Sequence, residues 1–191
     1  IYGTDPAPAK DEYALHAVYG GGNQAPYTYG NGYPKVTVHY CDNSIEYVYG
    51  GGNAAAVAST DVTIWGGDVI GNVFGGGNGT VKAANVNGDA TTKIHGGTIL
   101  NVYGGSNAAG TINGDINLTI NSMKEEGSSD KQPCTMDIGS VYGGGNLADM
   151  NGNISVSLGC INHIKELYGG ARNANIGTDT QNSNINLVIT S

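Results

Sequence analysis

Short stretches in which apolar and polar residues alternate recur along the chain. Alternation with a period of two is typical of β-strands that bury one face. The stretches are separated by turns rich in Gly and Asn, which favours many short strands over a few long ones. We predict six such strands, at Val36–Tyr40, Val62–Trp65, Thr92–His95, Ile116–Ile120, Ile154–Leu158 and Ile185–Ile189.

A six-residue motif, aliphatic–aromatic–Gly–Gly–Gly–Asn, lies between these strands and occurs six times. In the fourth copy Ser106 replaces the third glycine, and the last copy ends in Ala171-Arg172. Such self-similarity at a spacing of 25 to 39 residues indicates a repeat protein. The first residues of the copies are Val18, Val48, Val73, Val102, Val141 and Leu167.

Alignment of the copies on their aromatic residue gives a second aliphatic column, four residues before it. A third apolar position follows the asparagine, and we assign it to Val57, Val81, Val86, Ile112 and Ile176. Stacked aliphatic columns from short parallel strands make a thin continuous core. The sequence therefore predicts an all-β fold, a right-handed parallel β-helix (β-solenoid) of about six coils of 25–30 residues.

Each part of the motif has an expected role. The three glycines are expected to turn a corner with positive φ, and the asparagines to share side-chain amide hydrogen bonds along the rod. Simple alternation points the aromatic outward, so these rings either pack on one another or form an exposed row that stacks on sugars. The rings are Tyr19, Tyr49, Phe74, Tyr103, Tyr142 and Tyr168.

The chain divides into an extended lead-in, residues 1–12, and a single β-helix domain, residues 13–191. The longest step of the repeat contains a charged, Ser/Gly-rich stretch that predicts a loop insertion near residues 123–133. Solenoid ends need polar caps, and the sequence has none that we recognise. We therefore expect a segment of a longer protein, with end-to-end neighbours from the rest of the parent chain.

Acidic residues recur near the start of the alternating strands, at Asp61, Asp89 and Asp115. Carboxylates stacked one coil apart would repel each other, and a hard cation such as Ca²⁺ could offset that repulsion. The alternative is turn chemistry, in which the carboxylates bond nearby backbone amides. Apart from this possible Ca²⁺, we expect no cofactor.

The three cysteines, Cys41, Cys134 and Cys160, all lie eight residues before the aromatic of their coil. This spacing places them in one column. Cys134 and Cys160 belong to neighbouring coils, which puts their Cα atoms within reach of a disulfide. We therefore predict a Cys134–Cys160 disulfide if any forms, with Cys41 alone.

Composition narrows the possible functions. The 191 residues carry eight Lys and Arg and a net charge of −8, which does not supply the basic surface that nucleic acids require. No apolar run is long enough to span a bilayer. The histidines have no metal-ligand spacing, and no nucleophile–base signature appears. We therefore assign no catalytic residue and expect no enzyme.

The repeated Val-Tyr-Gly-Gly-Gly-Asn, followed by Ala-rich or Asn-Gly segments and a Val-Thr-Ile strand, resembles the Gly/Asn-rich β-helical repeats of large bacterial cell-surface and adhesin-type proteins. The resemblance covers residues 13–191. It implies a non-catalytic structural or adhesive segment, extracellular or on the bacterial surface, whose partners are glycans or host and cell-surface proteins. The alternative is a carbohydrate-binding or polysaccharide-processing β-helix, related to polysaccharide lyases or glycoside hydrolases.

Overall fold

The computed structural model describes residues 13–28, 30, 32–124, 126–127 and 134–190. The predicted lead-in and most of the predicted loop insertion lie outside these residues. The described chain is all-β and contains twelve strands. They are β1 (Leu15–Tyr19), β2 (Lys35–Val38), β3 (Ser44–Tyr49), β4 (Thr60–Ile64), β5 (Val69–Phe74), β6 (Ala90–Ile94), β7 (Gly97–Tyr103), β8 (Ile116–Ile120), β9 (Met136–Tyr142), β10 (Ile154–Leu158), β11 (His163–Tyr168) and β12 (Ile185–Ile189).

The strands form two parallel sheets of six, and each coil contributes one strand to each sheet. The odd-numbered strands make the first sheet and the even-numbered strands make the second, both in coil order. A third side consists of single parallel bridges through Tyr27, Val57, Val86, Ile112, Met150 and Ile176. The β-solenoid predicted from the sequence is therefore confirmed.

Equivalent residues of successive coils lie directly beside one another. Val48 pairs with Val73 in the first sheet, and Ile64 pairs with Ile94 in the second. The predicted aliphatic columns are buried in the inner coils, where Val48, Val73 and Val102 have no exposed surface, whereas Leu15 in the first coil is 51 % exposed. The third column was partly wrong. Val81 is 79 % exposed, and Met150, which has no exposed surface, belongs to that column instead.

The triple glycines do not serve the purpose that we expected. Glycines with positive φ occur at other places, such as Gly79 and Gly97, and none belongs to the triple-glycine motif. Instead, the backbone continues to pair with the next coil through the motif: the amide of Gly50 donates to the carbonyl of Phe74, at 2.9 Å. A Cβ on the first glycine of most copies would come closer than 3.0 Å to a carbonyl oxygen of the following coil. The motif therefore needs glycine because neighbouring coils approach so closely.

Thr92 is one of two buried threonines, with Thr60, in the otherwise apolar core of the second sheet. It has no exposed surface, it lies between Val62 and Leu118 in the column, and its Oγ1 has no hydrogen-bond partner among the described residues. A buried hydroxyl without a partner costs roughly 1–3 kcal/mol. We predict that Thr92→Val, which keeps the shape, raises the free energy of unfolding by about 1 kcal/mol or more in urea denaturation.

The outward-facing neighbour Thr91 provides the control for Thr92. Thr91→Val alters a hydroxyl that is already accessible to water, so its effect is expected to stay within about 0.5 kcal/mol. A loss of stability in Thr92→Val would contradict the prediction, because it would mean that the hydroxyl bonds something in the folded protein.

Candidate functional site

The six aromatic rings form one continuous stack along the rod. Successive ring centroids lie 4.7 to 5.0 Å apart, and neighbouring planes differ by at most 9°. Tyr49, Phe74 and Tyr103 are only 3, 2 and 4 % exposed. The faces of the inner rings are therefore covered by other rings and cannot stack on a sugar.

Of the two alternatives for these rings, the structure has the one in which they pack on one another. The rings do lie apart from the aliphatic core, in a cluster of their own. They are buried nonetheless, because the distance between coils equals a comfortable stacking distance for aromatic rings. Tyr168, in the last described coil, is 47 % exposed.

The buried hydroxyls of Tyr49 and Tyr103 have raised pKa values. Burial raises the pKa of Tyr49 well above its ordinary value, and the neighbouring Tyr19 and Tyr47 hydroxyls raise the pKa further, while the Asn107 side chain opposes them. Burial likewise raises the pKa of Tyr103, against the opposing charge of Arg172. Tyr49 and Tyr103 therefore act in the column as stacked structural rings, and their hydroxyls stay protonated at ordinary pH.

The asparagines that follow the glycines form a hydrogen-bonded ladder, as predicted. Each side-chain amide donates from Nδ2 to Oδ1 of the preceding coil, over 2.8 to 2.9 Å. In the last coil Arg172 takes the place of asparagine and donates to Oδ1 of Asn146, at 3.0 Å. The asparagines are Asn23, Asn53, Asn78, Asn107 and Asn146.

The middle of this ladder is expected to be sensitive to substitution. Asn78 is 7 % exposed, donates to Asn53 and Thr80, and accepts from Asn107. Asn78→Ala removes these bonds and leaves the Asn107 donor and the Asn53 acceptor without their partners. We predict a loss of about 2–3 kcal/mol in the free energy of unfolding, measured by denaturant titration.

The end of the ladder supplies a matched control. Asn23 is exposed and takes part in a single inter-coil side-chain bond, from Asn53. Asn23→Ala should therefore cost less than about 1 kcal/mol. Equal losses in the two variants would refute the idea that bonds on both sides make the inner amides important.

Asp61, Asp89 and Asp115 do not form a single column of carboxylates, because Asp61 lies apart from the other two. Asp61 pairs in register with Lys35 and Thr91, and its carboxylate lies 3.4 Å from the Lys93 ammonium. Asp89 lies before its strand, beside Thr60 of the preceding coil, which donates a backbone hydrogen bond to its carbonyl. The sequence pattern missed this shift because it placed both aspartates at a strand start, whereas Asp61 is the second residue of β4 and Asp89 precedes β6.

The two remaining carboxylates perform the turn chemistry that was the alternative to a metal site. Asp89 accepts a backbone N–H from Asp115 at 2.8 Å, and Asp115 accepts one from Asn153 at 2.8 Å. Each carboxylate therefore bonds an amide of the following coil. Within the described ranges no three His, Cys, Asp or Glu side chains come together as a metal site would require.

The acidic and imidazole groups elsewhere form isolated pairs. His163 lies 2.7 Å from Asp137, and His16 contacts Glu46, both on the outer side of the first sheet. His95 is buried, stacks on Trp65 at 4.2 Å and contacts the carbonyl of Asn121 at 2.9 Å. None of these pairs stands beside a nucleophile in the part of the chain that the structure describes.

The disulfide predicted from the cysteine column was wrong. Cys41 bonds Cys134 across a sequence separation of 93, with Cα atoms 5.7 Å apart, and Cys160 is free and exposed. Both bonded cysteines lie in connections that precede strands, so the regular spacing of strands does not apply to them. The Cys134 side chain lies over Gly66 and Gly96, where a Cβ would come within 3.0 Å of its atoms.

No protein-family model, curated protein or solved structure matches this chain. The described residues include no helix long and apolar enough to cross a membrane.

Sequence reasoning missed one surface, the outer face of the second sheet. Its strands point alternate residues outward, and most of these are small and polar. This surface is visible in the sequence as small polar residues that recur at the outward positions of successive alternating strands. In coil order, the outward pairs are Lys35 and Thr37, Asp61 and Thr63, Thr91 and Lys93, Asn117 and Thr119, Ser155 and Ser157, and Asn186 and Val188.

Proposed function

We propose that this chain is a non-catalytic structural and adhesive segment of a secreted or surface-attached bacterial protein. The observation that carries the proposal is that its recurrent polar groups bond from coil to coil. The asparagine ladder and the carboxylates of Asp89 and Asp115 both do so. Side chains that form hydrogen bonds between coils stabilise the rod, and they are not available to attack a substrate.

The Cys41–Cys134 disulfide supports a location outside the cytoplasm. Disulfides persist in oxidising compartments and on cell surfaces, whereas the cytosol keeps thiols reduced. The resemblance of the repeat to those of bacterial adhesin-type proteins points the same way. A rigid rod that stays folded outside the cell can hold binding surfaces at a fixed distance and expose them to a partner.

Polysaccharide processing has less support than a structural and adhesive role. Glycosidases use two carboxylic side chains that face a common substrate cleft. In this chain Asp89 and Asp115 face backbone amides, and Asp61 is paired with Lys93. The rings that could have held a sugar cover one another.

Two measurements test the proposal. First, the purified chain is incubated with neutral and acidic polysaccharides, and new reducing ends and unsaturated products are quantified. We expect no more product than with heat-denatured protein. Turnover that is lost in Asp89→Asn or Asp115→Asn would overturn the non-catalytic assignment.

Second, beads coated with the folded chain are passed over surfaces coated with polysaccharide or with epithelial cells. Beads coated with reduced, alkylated and unfolded chain serve as the control. We expect stronger retention of the folded chain under flow on at least one surface. Equal retention of the two bead types on every surface would refute the adhesive role.

A further inference from the structure

The outward polar side chains of two of the three long sides of the rod form hydrogen bonds with one another. On the first sheet the outward groups bond one another: Asn101 donates to Asn72 at 2.9 Å, and Ser140 donates to Glu166 at 3.3 Å. The side of single bridges is also satisfied, since Asn151 donates to Asn113 at 3.1 Å. Polar groups that are bonded within the protein have little left to offer a partner.

The second sheet is different. Among the described residues, the only side-chain hydrogen bond made by its outward positions joins Lys93 to Asp61, at 3.4 Å. Apart from Lys35 and Val188, the other outward positions carry hydroxyls and amides that form no side-chain hydrogen bond with the described part of the chain. They are Thr37, Thr63, Thr91, Asn117, Thr119, Ser155, Ser157 and Asn186.

These groups form a regular array, because the register is continuous from β2 to β12. Neighbouring strands lie about 4.8 Å apart, and outward residues within one strand lie about 6.6 Å apart. The array is nearly neutral, since its only charged members are Lys35, Asp61 and Lys93. No outward position within these strands is aromatic.

We propose that the outer face of the second sheet binds a neutral, unbranched polysaccharide through hydrogen bonds. This inference rests on the adhesive part of the proposed function and names its ligand class. Each hydroxyl donates one hydrogen bond and accepts others, which matches the hydroxyls of a sugar. A neutral surface gives a charged polymer no electrostatic advantage, so the ligand is an uncharged glycan.

The repeated array explains why the ligand is a polymer. A single hydrogen bond in water contributes only about 1 kcal/mol, so one sugar unit would scarcely bind. An extended chain that lies along the rod meets equivalent groups in successive coils, and linked contacts strengthen one another by effective concentration. A flat sheet face also leaves room for an extended polymer.

Depletion of the 191-residue chain from solution by suspended cellulose, used as the probe, tests this inference. A variant with Thr63→Val, Thr119→Val, Ser155→Ala and Ser157→Ala removes four hydroxyls and leaves the buried positions unchanged. We expect at least a tenfold weaker association constant, with unaltered circular dichroism and melting temperature. Leu100→Ser, on the exposed outer side of the first sheet, is the control and should bind like the parent chain.

The inference would be overturned if the parent chain and the four-hydroxyl variant bound cellulose equally. It would also be overturned if binding disappeared in 0.5 M salt, or if Tyr168→Ala abolished binding and the four-hydroxyl variant did not. Absence of any binding to cellulose and to a second neutral glycan, chitin, would also overturn it. The bead-retention experiment is independent of that outcome, so the adhesive proposal would then stand or fall separately.

Discussion

Replacing Gly75 with alanine is expected to lower the free energy of unfolding by roughly 4 kcal/mol. A Cβ at this position would overlap the carbonyl oxygen of Gly104 in the next coil and crowd Thr92 Oγ1. Both obstacles are held in place, one by inter-coil backbone bonds and the other by the core. The coils would have to separate locally to admit a single methyl group.

The same overlap recurs at the first glycine of every copy except the last. A Cβ on Gly20, Gly50, Gly104 or Gly143 would likewise overlap the carbonyl oxygen of the following coil. The amides of these glycines donate 2.9 Å hydrogen bonds to the aromatic residue of that coil, and these bonds fix the separation. The requirement is therefore one of distance between coils.

Gly169 supplies the matched control because it holds the same position in the last described coil. A Cβ there would lie 2.9 Å from the Cγ2 methyl of the half-exposed Ile185 and would meet no backbone atom, so it would not push two paired coils apart. Gly169→Ala should therefore change stability by less than about 1 kcal/mol. Urea denaturation followed by circular dichroism measures both variants, and equal effects would contradict the argument from coil separation.

Removal of the Cys41–Cys134 disulfide is expected to have a comparable effect. The bond closes a loop with a sequence separation of 93, and in the chain-entropy view a loop of that size stabilises the fold by roughly 4 kcal/mol. We predict a loss near that value for the double variant Cys41→Ser/Cys134→Ser, measured by denaturant titration without reductant. Reduction of the parent chain should give the same loss.

Cys160 provides the control for the disulfide. It is exposed and free, so Cys160→Ser should stay within about 0.5 kcal/mol of the parent chain. Peptide mapping by mass spectrometry under non-reducing conditions should recover a peptide that links Cys41 to Cys134. A linked peptide that contains Cys134 and Cys160 would contradict the pairing.

Much of this fold could be predicted from the sequence because its determinants are local and repeated. Alternation located the second-sheet strands to within two residues, and three of them, β8, β10 and β12, have the predicted bounds. The spacing between aliphatic and aromatic residues, which is the same in every copy of the motif, placed the inner columns correctly. The asparagine ladder followed from the same spacing, because identical residues of adjacent coils must meet in a parallel register.

The candidate site was harder to predict, because contacts there depend on small departures from the repeat. Asp61 and Asp89 both lie near strand starts, yet two residues of register separate them. Val81 is apolar and close to the expected position, but it lies on an exposed turn. A repeat with steps of unequal length leaves such shifts open until backbone pairing fixes the register.

The sequence by itself determined the repeat, the strands, the buried aliphatic columns and the asparagine ladder. Only the tertiary structure decided which cysteines pair, whether the rings are covered, and why the first of the three positions after the aromatic must be glycine. The physical reason is that these properties depend on distances between coils. Rings stack and carbonyls crowd a would-be Cβ because adjacent coils lie one strand spacing apart, and Cys134 reaches Cys41 because its side chain lies over Gly66 and Gly96 of the intervening coils.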